Sequence, residues 1–258
     1  AAESHGLTLN TTGLVDINAA IGVGGGAWPN LDNALASVMT NAGGTTQIGA
    51  EIRATAQTYN DAVVLTDDVA VRLTGDTIIF GSSLDGEGDD YSEDLQLTAA
   101  NGNIDFDGVV GGSVAVGDVT ITDATDVTAD QAFSADTITQ SAGTGDTQFD
   151  GAVTLRGSAT TGLELETNTV TFGTNATVDT VTAANGGIVT ITNGGLLNIA
   201  PGADMSLDGA FTQNGAGVVE TAGNIATTAD DISFATAVTL TDDEAVVFSS
   251  GGGTAGGT

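Results

Sequence analysis

One stretch of this chain, Asp85-Gly-Glu-Gly-Asp-Asp-Tyr-Ser-Glu-Asp94, sets carboxylates beside glycines at closely spaced positions. Calcium takes about six to eight oxygens from a bendable loop, and such a stretch can supply them. Asp85, Glu87, Asp89, Asp90 and Glu93 are the candidate calcium ligands. The spacing departs from the EF-hand loop, and tandem Gly-Gly-x-Gly-x-Asp repeats are absent. The plain alternative is a solvated acidic loop.

The adjacent pairs Asp67/Asp68, Asp89/Asp90, Asp230/Asp231 and Asp242/Asp243 invite an acid–base reading. Neighbours on a strand point to opposite sides, so one pair cannot flank one bond. Carboxylates stacked from coil to coil could instead line a groove, as in polysaccharide-cleaving enzymes. Such chemistry also uses basic groups, and only Arg53, Arg72 and Arg156 are available. No catalytic residues are assigned, and the expectation is that the chain is not an enzyme. His5 is the single histidine and there is no cysteine, so neither a transition-metal site nor a relay can be completed. Gly22-Val-Gly-Gly-Gly26 lacks the lysine of a phosphate loop and reads as a corner. Asn10-Thr-Thr and Asn175-Ala-Thr fit the glycosylation pattern, as chance allows in a threonine-rich chain. Trp28 and Tyr91 are either exposed contacts or rim packing.

Charge narrows the partners. Among 258 residues, 34 are Asp or Glu and 3 are Lys or Arg, for a net charge of −31. Nucleic acid binding needs basic residues and is excluded, and anionic membrane surfaces are disfavoured for the same reason. Two carboxylates about 5 Å apart in water repel by roughly 0.8 kcal/mol, which salt or a divalent cation relieves. Apolar residues make up 40% of the chain and alternate with polar ones, which argues for a packed core rather than disorder. No apolar run approaches the ~18 residues that span a bilayer, so membrane insertion is not expected.

The elements that would position these groups show in the repeats. Tyr59-Asn-Asp-Ala-Val-Val-Leu-Thr-Asp-Asp-Val-Ala-Val-Arg-Leu73 and Phe234-Ala-Thr-Ala-Val-Thr-Leu-Thr-Asp-Asp-Glu-Ala-Val-Val-Phe248 obey one formula. Shorter phrases recur at Phe106-Asp-Gly-Val-Val110, Phe149-Asp-Gly-Ala-Val153 and Leu207-Asp-Gly-Ala-Phe211. From Tyr59 to Phe234 the anchors are separated by 47, 43, 58 and 27 residues. Short alternating runs such as Leu95-Gln-Leu97, Val119-Thr-Ile121 and Val189-Thr-Ile191 are bounded by Gly, Asn or Asp, the signature of strands and turns. Isolated strand tokens at multi-strand distances argue against paired hairpins. They predict an all-β parallel β-helix (β-solenoid) with coils of about 22 residues, roughly a dozen in all, over 1–258. Leu31-Asp-Asn-Ala-Leu35-Ala-Ser-Val38-Met39 has helical spacing after Pro29 and is the exception.

Thr55-Ala-Gln-Thr-Tyr-Asn-Asp-Ala-Val-Val-Leu65, Phe106-Asp-Gly-Val-Val-Gly-Gly112, Leu207-Asp-Gly-Ala-Phe-Thr-Gln213 and Asp230-Asp-Ile-Ser-Phe-Ala-Thr-Ala-Val-Thr-Leu240 resemble recurring phrases of giant bacterial repeat proteins. These are the filamentous-haemagglutinin-like or autotransporter-adhesin-like proteins. Ala42-Gly-Gly-Thr-Thr-Gln-Ile48 fits the same pattern. The resemblance implies a right-handed parallel β-helix displayed or assembled outside the cell, and it favours a strand over Leu35 to Met39. It carries no catalytic residues. The expected role is an extracellular self-assembling filament subunit or a rod segment of a cell-surface adhesin. Head-to-tail homopolymer contacts are expected, with a surface glycan or protein receptor as a further partner. The glycine-rich tail at 251–258 is read as joining the next unit, and the chain as a fragment or a polymerising subunit. A carbohydrate-active β-helix enzyme and a calcium-dependent matrix or surface-layer component are the alternatives.

Overall fold

The computed structural model describes residues 5–24, 27–66, 70–88, 91–156, 160–180, 187–241 and 245–251. Every regular element among them is a strand, and every strand pairing is parallel. Parallel strands buried on a shared interior read as alternating apolar and polar residues when their other side meets water. Val170-Thr-Phe172 and Val189-Thr-Ile191 are examples: the apolar members are fully buried and the threonine between them is half-buried.

The chain winds as a β-solenoid of about nine turns, with successive coils about 23 residues apart. Each coil presents three faces. Leu9, Thr40, Tyr59, Phe80, Phe106, Ala129, Phe149, Phe172, Ile199, Thr221 and Leu240 pair in succession along the first face. Val15, Thr46, Val63, Leu84, Val110, Phe133, Val153, Val178, Met205, Ile225 and Phe248 run along the second. Ile21, Ile52, Leu73, Leu97, Ile121, Gln140, Leu165, Ile191, Gln213 and Phe234 run along the third. On the first face the coil length varies from 19 residues (Thr40 to Tyr59) to 31 (Leu9 to Thr40), because corner loops differ. The solenoid has about nine turns where about a dozen were expected.

The uneven repeat spacing now has a geometric cause. Tyr59, Phe106 and Phe149 share the first face two coils apart, which accounts for 47 and 43 residues. Leu207 lies on the second face and Phe234 on the third, so the gaps of 58 and 27 include a change of face. The two long matching phrases are therefore offset by one face. Tyr59, Leu65 and Leu73 occupy faces one, two and three, whereas Phe234, Leu240 and Phe248 occupy three, one and two. The formula encodes strand, corner, strand, and any face accepts it.

Leu35–Thr40 is a strand, paired with Gly6–Leu9 on one side and Ile52–Tyr59 on the other. Its helical spacing is overridden by those two ladders of backbone hydrogen bonds. Leu95–Phe106 and Val116–Ala129 each continue from the third face round a corner to the first, with register shifts that absorb the bend.

Aromatic rings stack along the interior. Tyr59–Phe80, Phe80–Phe106 and Phe149–Phe172 are stacked with centroids 5.5, 5.2 and 5.7 Å apart. Several polar side chains that enter the core find partners. The Tyr59 hydroxyl donates to Gln57 Oε1 at 2.7 Å, and Gln57 Nε2 donates to the Thr74 carbonyl at 2.8 Å. Gln213 Nε2 donates to Asn193 Oδ1 at 2.7 Å one coil below. Such pairing offsets the cost of burying amide and hydroxyl groups.

Candidate functional site

The acidic loop begins where the short strand Leu84–Asp85 leaves the second face. Asp85 Oδ1 accepts hydrogen bonds from the backbone of Ser113 at 2.7 Å and Val114 at 3.4 Å. Gly86 N–H donates to the Val114 carbonyl and Tyr91 N–H to the Ala115 carbonyl, each at 3.1 Å. The loop is thus fastened to the segment one coil above. Glu87 is exposed, whereas Glu93 is only 3% exposed. Glu93 Oε1 accepts from the Ser92 hydroxyl at 2.7 Å, and Oε2 is buried with no hydrogen-bond partner. Asp89 and Asp90 lie outside the described residues. Among the described residues, no three acidic or histidine side chains are grouped closely enough to hold a metal ion.

Carboxylates that the sequence reading passed over form columns on the outer surface. Asp107, Asp130 and Asp150 follow Phe106, Ala129 and Phe149, which pair with one another in three consecutive coils. Asp130 N–H donates to the Phe106 carbonyl at 3.0 Å and Asp150 N–H to the Ala129 carbonyl at 2.9 Å, which holds the column in register. Asp105 stands beside it. Partial burial raises its carboxyl above the usual range, and the charges of Asp107, Asp130 and Asp126 push the same way against a hydrogen bond from Thr128. At the start of the third face, Asp94 Oδ1 accepts from Asp118 N–H at 2.8 Å, and Asp118 Oδ1 accepts from the Thr137 hydroxyl at 2.7 Å. Asp94 and Asp136 are raised by burial first, with the Asp118 charge adding to each. The recurring Phe-Asp phrase was the available signal. The middle coil hides it by putting Ala129 where its neighbours have phenylalanine.

The arginines serve the scaffold. Buried Arg53 pairs with Glu51 and donates from Nη1 to the Asn30 carbonyl at 3.0 Å. Arg72 donates to Gln96 at 2.9 Å and lies over the Trp28 ring at 5.7 Å, which makes Trp28 a packing residue. Arg156 pairs with Asp179 at 3.2 Å. His5 is exposed near the first strand. Asp230 and Asp231 are both exposed, and the pairs at 67–68 and 242–243 fall outside the described residues, as does 252–258 of the glycine-rich tail. Gly22 is a corner, with φ +70° and a Cβ position only 2.1 Å from the Arg53 carbonyl oxygen.

Two recesses stand out among the described residues. One, of about 330 Å³, lies at the corner between the third and first faces and is lined by Glu166, Thr167, Asn168, Thr192, Asn193 and Gly215 among others. The other, of about 330 Å³, opens at the first coil and is lined by Leu7, Leu9, Val15, Ile17 and Ile21 with Asp16 and Asn18 at its rim. At the opposite end, Leu240, Val247 and Phe248 are 56%, 53% and 40% exposed. No helix among the described residues is long and apolar enough to cross a membrane. No family model, curated protein or solved structure matches this chain.

Proposed function

We propose that this chain is a structural segment of an extracellular filament or cell-surface rod, built to be extended coil upon coil at its ends. One observation carries the reading. Leu65 and Leu73, within the first matching phrase, are fully buried, whereas their counterparts Leu240 and Phe248 occupy the same inward register but are exposed at the last described coil. The last coil is therefore composed as an interior coil, with apolar residues where an end cap would be polar. At the other end, Leu7 and Leu9 on the first face, Val15 on the second and Ile21 on the third present a matching apolar surface. Among the described residues, the outermost strands at both ends pair on one side only, and such edges template a further parallel strand. Because first and last coils differ, contact between them is heterologous and propagates as an open filament rather than closing.

The location outside the cell rests on the family resemblance of the repeat phrases and on the acidic, threonine-rich outer faces. Sedimentation of the 258-residue chain over a range of concentrations tests the assembly. End-to-end growth that Phe248→Lys abolishes supports it. A monomer at every concentration removes it.

A further inference from the structure

We propose that the recess at the corner between the third and first faces is a binding site for a neutral saccharide. It lies on the side of the rod, so it does not depend on how the ends join. The third-face positions Gln140, Leu165, Ile191 and Gln213 rise through four successive coils. The recess opens just past these strands, from Gly143 in the first of those coils to Gly215 in the last. Three rungs of the ladder make that span about 14 Å. Its volume of about 330 Å³ falls at the lower end of the range of roughly 300–1,000 Å³ found for small-molecule sites.

Two glutamines on this ladder differ in one respect. Gln213 is served on both sides: its Nε2 donates to Asn193 Oδ1 at 2.7 Å, and its Oε1 accepts from Ala235 N–H at 3.0 Å and the Thr236 hydroxyl at 3.4 Å. Gln140 is equally buried, and its Oε1 accepts from the Thr147 hydroxyl at 2.7 Å, yet its Nε2 has no acceptor. A buried amide donor left without a partner is costly. A Cβ on Gly143 would stand 2.5 Å from both Gln140 Nε2 and Thr167 Oγ1, which puts this donor at the edge of the recess that Gly143 and Thr167 line. An oxygen of the ligand, or a water that the ligand holds there, supplies the missing acceptor.

The outer lining has the chemistry that reads hydroxyl groups. Glu166 and Asn168 are exposed along it, and Thr192 is half-buried between coils. A carboxylate accepts from two neighbouring hydroxyls, and an amide both donates and accepts, which matches the mixed donor–acceptor edge of a sugar ring. Asn168 Nδ2 reaches only Thr169 Oγ1, at a long 3.4 Å, and its Oδ1 leans over Gly194 and Gly195. Glycines at 143, 194 and 215 leave the space that a ring would fill. None of the described lining residues is basic, and the chain carries a net charge of −31, so acidic sugars are repelled. None is aromatic either, so recognition rests on hydrogen bonds.

The test is saturation-transfer NMR with maltotriose, cellotriose and chitotriose, beside trigalacturonate as the acidic counterpart, followed by titration of whichever binds. The intact chain is compared with Asn168→Ala, Gly194→Leu and, as a control outside the recess, exposed Glu164→Gln. Gly194 has room for a side chain, since a Cβ there meets Asn168 Oδ1 at an ordinary 3.5 Å, so Gly194→Leu fills the recess without straining the corner. The inference requires saturable binding of at least one neutral trisaccharide. Asn168→Ala and Gly194→Leu must each weaken it at least fivefold with the melting temperature unchanged, and Glu164→Gln must leave it alone. Should one of the two recess variants lose its fold, the other decides. A parent chain that saturates with none of the neutral sugars, that binds trigalacturonate as tightly, or whose binding survives in the folded recess variants overturns it. Each of these failures leaves end-to-end assembly untouched, because sedimentation reads that separately.

Discussion

Phe133 fills the space that Ala129 leaves in the aromatic column. Ala129 stands on the first face between Phe106 and Phe149, and the Phe133 ring enters from the second face to meet both edge-on, at 5.2 and 6.3 Å. The column is continued by volume rather than by position. Core packing tolerates such exchanges when total volume is kept. Phe133→Ala alone opens a cavity and is expected to cost about 3–5 kcal/mol. Ala129→Phe combined with Phe133→Ala restores a first-face ring and recovers most of that loss in chemical denaturation. A double variant no more stable than the single one refutes the exchange.

A second pair tests the buried polar contacts. Gln57→Leu leaves the Tyr59 hydroxyl without its acceptor inside a closed core, at a cost of about 1–3 kcal/mol. Adding Tyr59→Phe removes the stranded group and returns part of that stability. Burial also pushes the Tyr59 phenol far above its ordinary range, so no tyrosinate signal arises from it in the folded protein on moderate alkaline titration.

Corner geometry makes a sharper distinction between glycines. Gly22→Ala places a Cβ against the Arg53 carbonyl in a left-handed backbone and is expected to lower the melting temperature by several degrees. Gly13→Ala meets only the Thr11 hydroxyl at 3.5 Å and leaves it nearly unchanged.

Acidity has a defined sign here. Asp94, Asp105 and Asp136 have folded-state values above the ordinary 3.8, so the folded protein holds more protons than the unfolded chain just above that value. Stability therefore rises as pH falls from neutral through their raised values, and their contribution levels off below the ordinary value. Asp105→Asn is expected to raise the melting temperature at pH 7 and to flatten this rise. Added salt acts in the same direction at neutral pH, by screening the columns. A parent chain whose melting temperature falls steadily on acidification from pH 7 would contradict the assignment.

The fold was legible because period-two strand tokens and bounding glycines survive in a single sequence. Coil number was less so, since Leu9 to Thr40 spans 31 residues and Thr40 to Tyr59 only 19. Phrases were visible, but their change of face was not. Leu207 and Phe149 look alike in sequence, and only pairing shows that one ends a strand on the second face and the other on the first. Leu35–Thr40 shows the same limit, because its partners Gly6–Leu9 and Ile52–Tyr59 decide its state. In the acidic loop, composition does not separate exposed Glu87 from buried Glu93. That difference arises from the coil above, through Val114 and Ala115.

The decisive measurement images particles of the 258-residue chain by electron microscopy across a concentration series, beside Leu240→Lys and Phe248→Lys. Stacking through the end coils gives unbranched filaments of constant width that lengthen with concentration and, aligned, diffract at about 4.8 Å along their axis. Both lysine variants should yield only short single rods. Short rods from the parent chain at every concentration, or filaments that persist in both variants, would mean that the end coils are not the joining surfaces.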